Sequence, residues 1–238
     1  MSIKNWPSAT TQVLRFTAKP CHRGTNQFHR LRHYLTIRLH KGDLPDLSNY
    51  PDSAAIDTET LGLIPRRDRL CVVQLSPGDG SADIVQIEKG QTSAPNIQKL
   101  LADDTKEKIY HFGRFDIAVL HHAFGTLSAN NFCTKIASKL VRTYTDRHGL
   151  KNLTAEFLNV DLSKVQQSSD WASETLTDAQ MNYAASDVLY LHELKAHLIK
   201  RLEREDRLEM ANECFKFLPT RSVLDLSGWE ETDIFAHS

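Results

Sequence analysis

A chain of 238 residues with 40% hydrophobic and 25% charged side chains has the size and composition of one folded, soluble domain with short appendages. Its formal net charge of −1 excludes the uniformly basic surface of a nonspecific nucleic-acid binder, so any polyanion has to be met locally. No window approaches the roughly 18 consecutive apolar residues of a spanning helix, the first residues carry no signal-like pattern, and Cys21, Cys71, Cys133 and Cys214 form no C-x-x-C pair; the spacing argues against a disulfide framework or a structural zinc site, and the expected location is the cytoplasm.

Residues 1–34 mix Thr, Arg, His and Pro without a period of 2 or 3.6, which predicts a flexible basic leader. The texture changes at Leu35, Ile37 and Leu39, whose alternation opens the first strand of a folded domain over 35–238. Short runs rich in Val, Ile, Tyr and Phe predict further strands at 53–57, 70–76, 81–87, 107–112 and 130–134, with Pro77-Gly78-Asp79-Gly80 turning the second of these runs into the third as a hairpin. Helical spacing follows at 113–124, 134–145, 151–159 and 176–206, the last with an inner stripe of Leu176, Met181, Tyr183, Val188, Leu191, Leu194 and Leu198. Thr177 with Gln180 three residues on reads as a capping box at its start. The tail is expected to pack back through Leu226, Trp229 and Phe235. Strands first and helices after, on one core, predict an α/β fold: a mixed sheet flanked by helices.

Acidic side chains stand out against this pattern. Asp57 and Glu59 are two apart on the strand in "AAIDTETLGL" and share a face. Burying such a pair without a cation costs several kcal/mol, so either a cation sits there or the strand end is solvated. Asp116, in "KIYHFGRFDIAVLHHAF", falls in the first turns of a helix, where the dipole alone favours an acid. Tyr183 and Asp187, four apart in "NYAASDVLYLHEL", stack on one helix face, as a hydrogen-bonded pair on a helix flank also does.

Taken together and in this order, D-x-E, Asp and Y-x-x-x-D resemble the Tyr variant of the DEDD superfamily of 3′ to 5′ exonucleases, and the sequence is similar to ribonuclease D over residues 36–205. "AIDTET", "RLCVVQLS", "GLKNL" and "QQSSDWASETLTDAQMNYAASDVLYL" look like that family's blocks. The resemblance implies a ribonuclease H-like fold and two divalent cations about 4 Å apart at the scissile phosphate. All-oxygen ligands suit Mg²⁺ or Mn²⁺. It further implies that Asp57, Glu59 and Asp187 hold the ion of the attacking water. Asp57 bridges to a second ion, which Asp116 holds directly or through its waters, and Tyr183, a phenol with an ordinary pKa near 10, orients the water. The implied activity is 3′ to 5′ exoribonucleolysis at RNA 3′ ends, releasing nucleoside 5′-monophosphates; a single-stranded DNA exonuclease and a catalytically silent RNA-binding module are the alternatives. Substrate contacts are expected from His111, Arg114, Arg142, Arg147 and Lys151 toward phosphates, and from Leu61, as an apolar wedge, with Gln74 toward the terminal nucleotide. The resemblance stops near residue 206, so the family's C-terminal helical domains are not expected; no membrane partner is expected, and the oligomeric state stays open.

Overall fold

A computed structural model describes residues 12–17, 34–163 and 165–237. Its sheet has seven strands: β1 (Gln12–Thr17), β2 (Tyr34–Lys41), β3 (Ser53–Thr60), β4 (Leu70–Ser76), β5 (Ser81–Gln86), β6 (Glu107–Tyr110) and β7 (Asn131–Cys133), in the spatial order β1-β2-β5-β4-β3-β6-β7. β3 lies between an antiparallel β4 and a parallel β6, and β7 continues parallel beyond β6. The predicted hairpin joins β4 to β5; Gly78 sits there at φ +89°, where a Cβ would meet the His192 ring at 2.8 Å. Every residue of β4 and β5 is buried, the mark of strands covered on both faces.

The helices are α1 (Pro95–Ala102), α2 (Gly113–Phe124), α3 (Thr134–Val141), α4 (Leu150–Leu153, continued by one wide turn to Leu158), α5 (Asp178–Leu189), α6 (Leu191–Arg204) and α7 (Leu208–Leu224). α5 packs on β3, β4 and β5, while α6 turns away to pack on α3. The expected single helix over 176–206 is therefore two, broken at Tyr190 (φ −100°, ψ −4°). Tyr190 tolerates a helix interior, so periodicity alone gives no stop there. The capping box forms as read: Gln180 N–H donates to Thr177 Oγ1 at 3.2 Å and Thr177 N–H to Gln180 Oε1 at 2.9 Å.

The two ends of the chain also differ from the sequence reading. Part of the predicted leader, Gln12–Thr17, pairs antiparallel with β2 as β1, because an edge strand offers unpaired backbone groups to any short extended run. The remainder of that leader lies outside the described residues apart from Tyr34, the first residue of β2. α7 had no counterpart in the sequence reading; it packs on α2 and β7 and carries Pro219 inside it. The tail beyond it packs back in part as expected, with Leu226 half-buried and the Phe235 ring 5.9 Å from that of Phe217, and polar groups fasten it as well. Trp229 and Phe235 are exposed, while Arg221 donates to the Trp229 and Glu230 carbonyls and Arg114 and Arg66 pair with Asp225 and Glu230. Among the described residues no helix is long and apolar enough to cross a membrane.

A buried polar knot fastens β2 to β5. Asp83 accepts from Arg38 Nε (2.6 Å) and Nη2 (2.8 Å) and from Tyr50 Oη (2.6 Å), with His40 Nε2 at 2.7 Å. Removing the shared acid strands buried donors, so Asp83→Ala is expected to cost about 3–5 kcal/mol in a urea unfolding titration, far more than a surface change.

Candidate active site

β3 delivers Asp57 and Glu59 beside β4, in register with Gln74 and Val72, and an irregularity between Glu59 and Thr60 turns the chain out of the sheet immediately afterwards. Thr58, between the two acids, points the other way. Its hydroxyl donates to Asp116 Oδ1 at 2.8 Å. Asp116 is placed by a tight β6–α2 turn. Phe112 adopts φ +72°, a left-handed conformation rare for a bulky residue, and a Cβ on Gly113 would stand 2.7 Å from Tyr110 Cβ. The third contribution comes from α5, which carries Tyr183 and Asp187 one turn apart on one face.

Asp57, Glu59 and Asp187 each offer a carboxylate oxygen, all within 4.8 Å of one another. Asp116, 3% exposed, stands against this trio, tied to Thr58, and its charge raises the proton affinity of the other three. Among the described residues no Lys, Arg or His forms an ion pair with any of the four acids. The electrostatic result is severe. Burial first, then Asp116, Asp187 and Glu59, holds the Asp57 carboxyl well above the usual range. Burial, then Asp187 and Asp116, pushes Glu59 up to about 9. Burial also lifts Asp116 and Asp187 to about 7, against the opposing hydrogen bonds of Thr58 and Tyr183. Burial, Asp187, Glu59 and Asp57 drive the Tyr183 phenol upward, so it keeps its proton at neutral pH. Oxygen donors of one charge sign, held together with no counterion among the described residues, fit a site for hard divalent cations.

Asp57, Glu59 and Asp187 form one wall of a cavity of about 680 Å³, whose other walls include Leu61, His111, Phe115, Lys151, Trp171 and Tyr183; Asp116, expected as a fourth ligand, lies behind them and does not line it. Leu61 is 54% exposed at its edge. His111 Nδ1 lies 2.9 Å from Thr134 Oγ1; burial and the nearby Lys135 push its imidazole down to about 3, so the ring is neutral. Lys151 pairs with Asp161 at 3.0 Å.

Several expected contacts stand elsewhere. Gln74 is fully buried behind Asp57, its Nε2 at 3.4 Å from Asp57 Oδ2, where it steadies the acid and is out of reach of a nucleotide. Arg114 is clamped on Asp225 (2.5 and 2.7 Å) in a neighbouring cleft. Arg142 is buried against Glu156 and the Arg147 carbonyl, and neither Arg142 nor Arg147 lines the acidic cavity. The sequence reading gave no role to Trp171, although the "SDW" block contains it. The indole is buried 6.0 Å from the Tyr183 ring, with its N–H unpaired.

Comparison with known proteins agrees with this geometry. A family model described as 3′-5′ exonuclease matches residues 44–203. Ribonuclease D of Gluconacetobacter diazotrophicus is 35% identical over 155 residues, 65% of this chain and 39% of the relative. The chain thus spans about two fifths of the length of the curated ribonuclease D relatives it matches first. Brucella melitensis NrnC, solved with bound Mg²⁺, superimposes with a TM-score of 0.82 at 67% identity, covering 85% of this chain and 99% of that one. The same protein bound to pGG gives 0.83 at 68%, covering 85% and 98%. Escherichia coli RNase D, an exoribonuclease involved in structured RNA processing, gives 0.63 at 25%, covering 71% and 44%. The mixed sheet flanked by helices is the ribonuclease H-like nuclease fold of these neighbours. The matched segment contains Asp57, Glu59, Asp116, Tyr183 and Asp187, and the chain belongs to the 3′-5′ exonuclease family.

Proposed function

We propose that this chain is a metal-dependent 3′ to 5′ exoribonuclease that removes nucleoside 5′-monophosphates from RNA 3′ ends in the cytoplasm. The observation that carries the reading is the convergence of Asp57, Glu59 and Asp187 on one cavity wall with Tyr183 beside them. Asp57, Glu59 and Asp187 would hold divalent cations, Mg²⁺ or Mn²⁺ and two in number, with Asp116 backing Asp57. Bound there, such ions supply Lewis-acid stabilisation of phosphoryl charge and a nucleophile at neutral pH. The Mg²⁺ found in Brucella melitensis NrnC supports that choice of ion, and its pGG complex supports a short nucleotide chain as the occupant of the cavity.

The chain's own residues divide the remaining work. Tyr183, protonated, acts as a donor that orients water or a phosphate oxygen; a general base would need the phenolate that its acidic neighbours disfavour. Leu61, exposed at the cavity edge, meets the terminal base as an apolar wedge. Lys151 offers a cation to a phosphate, since its present partner Asp161 is itself exposed. Arg114 has no place in this reading, because its guanidinium already anchors the segment around Asp225 and Glu230.

The test is degradation of a 5′-labelled RNA oligomer and of pGG, with Mg²⁺ or Mn²⁺ and with EDTA, beside a matched DNA strand. A ladder shortening from the 3′ end with mononucleotide release, abolished by EDTA, is expected; no cleavage of RNA with either metal defeats the reading. Tyr183→Phe is expected to lower kcat about 10-fold, the scale of one lost orienting hydrogen bond. Metal affinity, followed by Mn²⁺ titration calorimetry, should stay within about twofold of wild type, because a phenol is replaced and no carboxylate is lost.

A further inference from the structure

His111 follows the last residue of β6 and lines the acidic cavity. Its Nδ1 lies 2.9 Å from Thr134 Oγ1, and that hydroxyl donates its own hydrogen to the Tyr110 carbonyl at 3.1 Å. A hydroxyl has one hydrogen to give, so toward His111 the Thr134 oxygen can only accept. Nδ1 therefore carries the hydrogen of the neutral ring, and Nε2 presents a bare lone pair. Thr134 is fully buried, which protects this arrangement from exchange with solvent. Among the described residues Nε2 has no hydrogen-bond partner, and it is not among the ring nitrogens sealed away from solvent.

A lone pair repels the anionic oxygens of a phosphate and attracts an O–H. The phosphate contact read from the sequence is thus the wrong chemistry for this side chain. In a cavity that takes the 3′ end of an RNA, the O–H groups brought in by the ligand are those of the sugar. We propose that His111 Nε2 accepts a hydrogen bond from a ribose hydroxyl of the 3′-terminal nucleotide, which makes His111 a specificity residue that reads the sugar. The inference rests on the exoribonuclease reading and adds to it the means of recognising ribose.

The experiment uses short RNAs identical except for the 3′-terminal sugar: ribose, 2′-deoxyribose and 3′-deoxyribose. Each is assayed for kcat/KM with the full chain, His111→Phe, His111→Gln and Thr134→Val, in Mg²⁺. Removing the accepted hydroxyl should lower wild-type kcat/KM about tenfold, the scale of one hydrogen bond. His111→Phe should lose about the same on the ribose substrate and add nothing to the loss from the matching deoxy sugar, so that the two changes are not additive. His111→Gln, which restores an acceptor, should recover part of the ribose rate. Thr134→Val, which unlocks the tautomer, should give an intermediate loss confined to sugars that carry the accepted hydroxyl. The deoxy sugar that shows non-additivity identifies the hydroxyl. Equal losses from His111→Phe on all three sugars, or full additivity with both deoxy sugars, overturn the assignment while leaving the nuclease reading intact. Wild-type inactivity on all three defeats the nuclease reading and the assignment with it.

Discussion

Replacing Asp57 by asparagine is expected to lower kcat/KM on RNA by about 10³-fold or more, the scale on which an enzyme depends on a fixed electrostatic group at its reacting phosphate. Asp57 is the acid most exposed to the others' charge: it is buried, and Asp116, Asp187 and Glu59 all raise its proton affinity. An amide at this position keeps the shape and the contact with Gln74 but removes one anionic ligand, so weaker cation binding accounts for the lost rate. The same substitution relieves repulsion among the remaining carboxylates. In EDTA, Asp57→Asn is therefore expected to unfold at a higher temperature than wild type, and in saturating Mg²⁺ or Mn²⁺ the order should reverse. Opposite signs from one substitution separate a metal ligand from a merely structural acid. Loss of activity with unchanged Mn²⁺ affinity would show that Asp57 is no ligand.

What the sequence disclosed, and what it concealed, follows from the range of the forces involved. Asp57 and Glu59 were legible because strand geometry puts residues two apart on one face, and Thr177 with Gln180 was legible because a capping box closes within four residues. The convergence of Asp116 and Asp187 on that strand was not visible in local spacing; only the family's motif order brought them together. Arg114 and Arg142 looked like free cations because their partners, Asp225 and Glu156, are distant in the chain or belong to another packed element. Gln74 was read as facing the terminal nucleotide, yet it is buried beside Asp57, since a strand pattern does not tell whether solvent reaches a side chain. The hydrogen on His111 depends on a threonine 23 residues away and on the carbonyl which that threonine in turn satisfies, a chain of contacts that no period in the sequence encodes. α7 escaped notice because its buried residues Ala211, Phe215, Leu218 and Ser222 are sparse and mixed in kind, and Pro219 counts against a helix wherever tertiary packing does not override it.

The pH dependence of stability carries the second large effect, and its sign is fixed by the raised carboxylates. Glu59 at about 9 and Asp116 and Asp187 at about 7 stand above the ordinary carboxylate range near 4, so the folded protein without cations binds protons that the unfolded chain has released. The stability these protons confer is complete below about pH 4 and is lost as pH rises through 7 and on to 9. Other groups titrate as well. His111, depressed to about 3, and His192, depressed to about 4, favour the fold increasingly as pH rises to their unfolded value near 6.5. Lys108, lowered to about 8 by burial, adds stability above that pH. These groups act alike with and without metal, so the difference between the two states isolates the acids. Thermal scans from pH 6 to 9 should show the midpoint in Mg²⁺ or Mn²⁺ exceeding that in EDTA by a margin that widens with pH, because cations take the place of protons more readily as the protons leave. A ligand at about 100 times its Kd stabilises by about 2.7 kcal/mol. For a chain of this length each kcal/mol moves the midpoint by about 2–4 °C, so the margin near pH 8 is expected to reach about 5–11 °C. A margin that stays constant across the range, or that Asp57→Asn retains in full, would mean that the cations bind somewhere other than this cluster of acids.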